Sequence, residues 1–395
     1  MKQGWTYKKL GEVGTFSRGI NFSKSDFVKE GYPCIHYGQI HTTFGPVIYE
    51  HLTCIPKEIV RKDKLASKGN LIIAITSEDV EASCKCTAWL GDYDIAIGAH
   101  AAIFKHQLNP IFVSYFFRSA KFQKEKEQYV HGFKVMEIKP SDIAKIAIGF
   151  PSLSELQRIV ARLDAAFAHI DELKANAEKQ LSEARALFQK ALSKAMEPKD
   201  GWKEKTLKEI GLTQTGTTPS KNDESNYGAY MPFIRPAELD YDGLGGVNYD
   251  SEISLSKKGV EKSRLIKENS ILMCCIGSVG KMGFSKRDVT CNQQINAITP
   301  TSDYSPKFVY YAMLDNRFID AVIKEAKSAQ ATLPIISKGK WEKHKLIIPP
   351  LSGQQRIVAR LESLSENVKK LEENQRKVVA ECDALKQALL RKVFE

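Results

Sequence analysis

The chain has 395 residues, enough for two to four domains, and carries 58 Lys and Arg against 47 Asp and Glu, a formal net charge of +11. Its N-terminus, Met1-Lys2-Gln3-Gly4-Trp5, lacks an apolar signal core, and no run approaches the ~18 apolar residues of a membrane span. The eight cysteines form no C-x-x-C and read as reduced cytosolic thiols, so a cytoplasmic protein without membrane contact is expected.

Residues 1–151 read as a mixed α/β globular unit. Gly4-Trp5, Lys8, Leu10 and Gly14 open it, and Leu71 to Ile75 and Ile95 to Ile97 are strand-like. Pro33-Cys34-Ile35 is followed by a polar stretch holding His36, Tyr37, Gln39 and His41. A single helix is expected near Phe112 to Lys126, and Lys134 follows it. Cys34, His36, His41, His51 and Cys54 fall within 21 residues, but their spacing fits no common zinc pattern, so no metal is expected.

From 152 to 197 the pattern changes. Leu153, Leu156, Val160, Leu163, Phe167, Ile170, Ala177, Leu181, Ala184, Phe188 and Ala191 alternate steps of three and four, with Lys174 as the interruption, over about six heptads. No Gly or Pro breaks the run, Ser152 and Ser154 offer cap oxygens, and Pro198 with Gly201 end it. A helix over Leu153 to Met196 would span ~66 Å at 1.5 Å per residue.

Residues 198–350 then repeat the first unit. Gly201-Trp202, Lys205, Leu207 and Gly211 recur 197 residues after their counterparts. Gly216-Thr217-Thr218-Pro219-Ser220-Lys221 and Tyr241 to Gly246 read as turns, Pro232-Phe233-Ile234-Arg235 matches the earlier strand, and a helix is expected near Lys307 to Lys327. Residues 351–395 form a second heptad helix through Ile357, Leu361, Leu364, Val368, Leu371, Val378, Cys382, Leu385 and Leu389. Gln355-Arg356-Ile357-Val358-Ala359-Arg360-Leu361 repeats Gln157 to Leu163 at an offset of 198. Landmarks some 150 residues apart keep their spacing to within one residue, so the chain is a tandem duplication. Two long helices in one chain most simply bury their stripes on each other as an antiparallel coiled coil, the alternative being helices that pair between chains. The expected class is α+β with a pseudo-two-fold repeat.

The copies differ most in the polar residues after their strands, which favours two different readers on one scaffold over one reaction performed twice. Residues 1–151 carry a net +5 and 198–351 a net +4, against 0 for 152–197 and +2 for 352–395, so the basic excess lies mostly in the globular units, where phosphate would be met. Asn292, Gln293 and Gln294 carry amides suited to adenine and Arg235 a guanidinium suited to guanine. In Gly277-Ser278-Val279-Gly280-Lys281-Met282-Gly283 a magnesium-binding Ser or Thr is missing, so this is no triphosphate loop. It is either a turn whose amides, Ser278 and Lys281 approach a DNA phosphate or a plain β-turn. No methyltransferase motif and no G-x-G-x-x-G after a strand is present, so no catalytic residues and no cofactor are expected.

A recognition unit ending in Ile-x-x-Pro-Ser/Pro-Leu-Ser, followed by Gln-Arg-Ile-Val-Ala-Arg-Leu at the head of a long helix, with the whole set repeated once, resembles the specificity subunit of type I restriction-modification systems. Leu333-Pro334-x-Ile336-Ser337, Gly216-x-Thr218-Pro219-Ser220 and Ala384-Leu385-x-Gln387-x-Leu389-Leu390-x-Lys392 extend the likeness, while Leu156 and Gln354 stand where the family usually has Glu. The resemblance implies a non-catalytic DNA-binding subunit. Each unit would be a target recognition domain reading half of a bipartite double-stranded target, and the helices would set the spacer and dock methyltransferase subunits, two in number, which in turn carry restriction/translocase subunits. Arg158, Arg162, Arg356 and Arg360 are then candidates for partner contact. A coiled-coil scaffold binding only proteins is the rival reading; it leaves the basic units and their diverged loops without a role.

Overall fold

The computed structural model describes residues 2–239, 246–329 and 333–395. The chain divides into two compact units, residues 1–176 with 378–395 and residues 177–377.

Unit 1 is built on two small sheets. One has five strands in the order Gly14–Arg18, Ala101–His106, Leu71–Ala74, Cys86–Trp89, Val47–Ile48. The other has four, and at its centre Tyr32–Ile35 (β1) lies parallel to Ile95–Ile97, pairing Cys34 with Ala96 and Ile35 with Ile97. After β1 the chain turns into the short helix Tyr37–Thr42 (α1). Strand Thr76–Ser77 (β2) continues beyond Ala74, and Ile95–Ile97 is β3. His131–Gly132 (β4) and Met136–Glu137 (β5) form a hairpin whose second strand pairs with β2. Strand Ala147–Phe150 pairs antiparallel with Thr6–Lys9 and delivers the chain to the long helix Leu153–Ala195 (α2).

Unit 2 repeats this plan. Lys203–Thr206 pairs with Lys345–Ile348, and Tyr227–Ile234 (β6) lies parallel to Val289–Cys291 (β7), pairing Phe233 with Thr290 and Ile234 with Cys291. Helix Pro306–Leu314 (α3) packs beneath, and Leu351–Phe394 (α4) is the second long helix. The landmark tryptophans do matching work, Trp5 against Phe112 at 6.2 Å and Trp202 against Phe308 at 6.5 Å between ring centroids.

Where one helix is expected in each unit, two form. Ser119 ends the first after Phe117, and its Oγ accepts the Phe122 amide to start Ala120–Lys126. Asp315 does the same between Leu314 and Asn316, its carboxylate accepting the Arg317 amide at 2.9 Å. A short polar side chain that caps a following turn competes with helix continuation.

The long helices run antiparallel. In unit 1 Lys174 pairs with Asp383 and Lys386 with Asp171, and in unit 2 Arg185 pairs with Glu372 and Gln375 donates to Gln180, so a step forward on α2 matches a step back on α4. Their stripes also enter the globular cores. Leu156, Val160, Leu163, Phe167, Ile170, Cys382, Leu390 and Phe394 join the core of unit 1, with Phe394 against Phe112 at 5.0 Å and Phe116 at 5.5 Å. Phe188, Leu192, Val358, Leu361 and Val368 join that of unit 2. Two residues of the expected seam do not belong to it: Leu153 is 68% exposed and Leu385 50%. Leu153 is the first residue of its helix, before the stripe has turned inward. At the other end Leu390 and Phe394 are buried where the strict heptad names Leu385 and Leu389, the slip expected when a 3.6-residue helix meets a globular core instead of a supercoiled partner.

Candidate nucleic-acid interface

The parallel strand pair is the common frame of both units, and polar side chains gather where its two strands end. In unit 2 Arg235 follows β6 and Asn292-Gln293-Gln294 follow β7, joined by the Asn292 amide donating to the Ile234 carbonyl at 3.1 Å. In unit 1 His36 follows β1 and Gly98-Ala99-His100 follow β3, with the Gly98 amide donating to Ile35 at 3.0 Å. A third segment crosses both ends. The Ile20 amide donates to Ile97 in unit 1 and the Thr217 amide to Cys291 in unit 2. The glycines just before them must stay small, since a Cβ on Gly19 would lie 2.1 Å from the Ile97 carbonyl oxygen and one on Gly216 2.2 Å from that of Asn292.

In unit 2 this frame encloses an open cleft of about 860 Å³, lined by Thr218, Lys221, Arg235, Asn292, Gln293 and Gln294 together with Tyr227 and Glu252. Six of the sequence candidates therefore meet on one surface. Thr218 Oγ1 donates to Gln293 Oε1 at 2.5 Å and Asn292 Nδ2 to Gln294 Oε1 at 2.8 Å, which fixes the amide planes and leaves the Gln293 amide nitrogen as a donor without a partner among the described residues. Arg235 is less free than its sequence context implies. Its Nη2 donates to the buried Glu238 at 2.7 Å and lies 3.5 Å from the exposed Glu252, and the Glu238 carboxylate raises the guanidinium pKa further. Any base it meets competes with those two carboxylates. Ser220 lies at the cleft margin, its carbonyl accepting from Asn226 Nδ2 at 3.0 Å.

Ser278 and Lys281 sit apart from the cleft lining, in the turn between strands Ile271–Cys274 and Met282–Phe284. The amides of Gly277, Gly280 and Lys281 donate to the carbonyls of Pro334, Cys274 and Ser278, so these three cannot also cradle a phosphate. The exposed Ser278 hydroxyl and the Lys281 ammonium remain.

Unit 1 gathers a different set. His36, Tyr37, Gln39 and His41 lie on and before α1, not in a loop. His36 is the N-cap: its Nδ1 accepts the Gly38 amide at 3.2 Å while Gln39 Oε1 accepts the His36 amide at 2.8 Å. Burial first, then the charges of Lys24 and His100, hold the His36 imidazole below its ordinary pKa, which keeps Nδ1 an acceptor. Tyr37 packs at a tilt against His36 at 4.5 Å and His100 at 5.0 Å, and His41 Nε2 is 2.9 Å from the Thr76 carbonyl oxygen. His36 and Gln39 therefore shape the helix, while Tyr37, His41 and His100 form its aromatic rim. Lys134 is remote in sequence and stands exposed on the β4–β5 hairpin. His51 pairs with Tyr93 at 2.6 Å and Cys34 with Thr53 at 3.3 Å, and among the described residues no three His, Cys, Asp or Glu side chains converge on a metal position.

Two residues beside His36, Lys24 and His100, escaped the sequence reading. Lys24 lies 197 before Lys221, so the repeat offset alone would have found it. His100 stands three past its strand, as Gln294 does.

On the helices, Arg158, Arg162, Arg356 and Arg360 are exposed, with Arg158 paired to Glu155 at 3.0 Å. Gln354 is buried: its Oε1 accepts the Ser305 amide at the head of α3 at 2.7 Å, and its Nε2 donates to the Pro349 carbonyl at 3.0 Å. Its counterpart Leu156 enters the apolar core of unit 1.

Over residues 2–183 and again over 199–381 the sequence matches the Type I restriction modification DNA specificity domain. The chain belongs to that family. It is 22% identical over 433 residues to the StySPI specificity subunit of Salmonella potsdam, spanning 100% of this chain and 89% of that protein. The EcoKI specificity subunit of Escherichia coli strain K12 is likewise 22% identical, over 426 residues, with the same coverage. Its fold resembles a chain from a structure concerned with complex assembly and conformational transition of the type I R-M system, at a TM-score of 0.75 and 20% identity, over 100% of this chain and 98% of that one. It also resembles the HsdS subunit from Thermoanaerobacter tengcongensis, at a TM-score of 0.53 and 19% identity, over 100% and 97%. The specificity subunit thus has two target recognition domains, each followed by a long helix, with the helices packed together. It is the DNA-specificity component of a type I enzyme and not the catalytic one. Among its described residues no helix is long and apolar enough to cross a membrane.

Proposed function

We propose that residues 1–151 and 198–350 each read one half of a bipartite double-stranded DNA target, and that the helices of 152–197 and 351–395 set the spacer and dock two methyltransferase subunits, through which restriction/translocase subunits join. The observation that carries this reading is the shared frame with unlike contents: the same parallel strand ends bear Arg235 and Asn292-Gln293-Gln294 in one unit and His36 and His100 in the other. One reaction run twice would keep those side chains alike. Base edges differ in donor and acceptor pattern in the major groove, so two unlike polar sets select two unlike half-sites. The aromatic rim of unit 1 offers shape and stacking, and the amide-lined cleft of unit 2 offers bidentate pairing with adenine. Lys24, Lys134, Lys221 and Lys281 would meet phosphate and set affinity without sequence information. The four exposed arginines at the heads of the long helices are suited to acidic partner surfaces.

The test joins affinity and specificity. Gel shifts of the chain with its methyltransferase subunits should show binding that weakens steeply with salt. Methylome sequencing of a Gln293→Ala variant should show relaxed selection at one base of one half-site, on the order of 1–3 kcal/mol of lost discrimination. Salt-insensitive binding, or a variant whose motif changes in both halves, would contradict the proposal.

A further inference from the structure

The β4–β5 hairpin of unit 1 presents an apolar tip with no role in the fold. Phe133 is 93% exposed and Val135 59%, with the exposed Lys134 between them and the exposed His131 before. Phe133 is the most exposed large apolar side chain among the described residues. A single exposed apolar residue normally needs no explanation, but this one is held in place. Gly132 sits at φ +147 with the Val135 carbonyl oxygen 2.0 Å from where a Cβ would be, so the turn that thrusts Phe133 outward admits glycine alone. Below the tip, β5 pairs with β2, and the Ile138 amide donates to Ile75 at 3.0 Å. An ion pair joins Glu137 to Arg18, the residue before Gly19 at the strand ends. His41 of α1 meets the same β2 strand at the Thr76 carbonyl. The ribbon therefore rises beside the reading surface and is tied to it on two sides.

We propose that Phe133 is a wedge that inserts between base pairs at a step in or beside the half-site read by unit 1, which rests on the reading of that unit as a DNA reader. A two-stranded ribbon is narrow enough to enter a groove, and an apolar side chain driven between base pairs unstacks and kinks the duplex. The surroundings favour a base contact over a phosphate contact at the tip. Phe133 and Val135 flank the single cation Lys134 there, so the tip offers an aromatic face more than net charge. The insertion is a positioning act: it fixes the half-site against unit 1 and selects for steps that unstack at low cost.

The experiment uses the full chain with its methyltransferase subunits and duplexes carrying 2-aminopurine at successive positions across the methylated motif and its flanks. The expected result is a fluorescence rise at one step, lost in Phe133→Ala and retained in Phe133→Leu. Affinity should fall roughly tenfold in the alanine variant, as for loss of a stacking contact, with an unchanged salt slope, whereas Lys134→Ala should lower that slope by about one phosphate contact. If the wild type binds its target with no fluorescence rise at any step, or if Phe133→Ala keeps both affinity and fluorescence, the wedge is refuted while the bipartite reading stands. Loss of subunit assembly without DNA in Phe133→Ala would also refute it and assign the tip to a protein partner. A wild type that fails to bind DNA at all refutes the broader reading.

Discussion

At the scale of single residues, position on the shared frame decides what a side chain can do. His36 and Arg235 both follow the first strand of the parallel pair, and both have their backbone amides held by the side chain three residues on, Gln39 in one case and Glu238 in the other. Gln39 supplies the Gln half of a capping box, but His36 stands where Ser or Thr would announce it, so the sequence did not mark these two of the five expected readers in unit 1 as helix-initiating. Tyr37 and His41 could not be separated from them, because which face of a one-turn helix meets solvent depends on sheets formed by distant residues. Burial of histidines in this unit has a consequence for stability. Desolvation pushes the His106 imidazole down to about 4, and His36 is lowered in the same direction. In the unfolded chain both take a proton near 6.5, so the unfolded state binds protons first as pH drops. Their contribution is fully present above pH ~6.5 and is lost progressively as pH falls toward about 4. Denaturant melts between pH 7 and pH 4 should show this loss, and His106→Gln should flatten it. A wild-type stability that stays constant over that interval would contradict the assignment.

At the scale of elements, the long helices were the most legible part of the chain because their signal is local and periodic. The strand pairs that matter most were the least legible. β1 meets β3 across some sixty residues, and no local pattern announces that their ends will stand side by side. The hairpin bearing Phe133 was missed for another reason: its strands have two residues each, too short to show alternation, and the second is held by pairing with the distant β2. The turn expected at Tyr241 to Gly246 falls largely outside the described residues. Ion pairs such as the exposed Lys174–Asp383 and the half-buried Arg185–Glu372 set the register of α2 against α4, although an exposed pair stabilises by less than about 1 kcal/mol. The apolar stripe supplies the cohesion. Removing seven residues from the middle of each helix keeps the heptad frame and shortens both by ~10 Å. Methylome sequencing of that variant should return the same two half-sites with a changed spacer. Altered half-site bases with the original spacer would contradict the role assigned to the helices.

At the scale of the whole molecule, duplication and divergence act on different parts. The residues kept between copies are those that close each unit and join it to the helices: Trp5 and Trp202, the strand pairs before Pro151 and Pro349, and the repeated Gln-Arg-Ile-Val-Ala-Arg-Leu. The residues that differ lie at the strand ends. Each compact unit contains part of both long helices, so a recognition domain cannot be exchanged as a bare segment. Phe112 and Phe116 pack on Phe394, and Tyr115 donates to Asp164 at 2.5 Å. A working exchange must keep those three aromatic positions. The most direct measurement is therefore methylome sequencing of a host expressing this chain with residues 1–150 replaced by those of another family member, the helix-facing aromatics retained. The expected result is a motif with one half replaced, the other half and the spacer unchanged. A motif altered in both halves, or one that keeps its original sequence throughout, would contradict the claim that two independent readers share one frame.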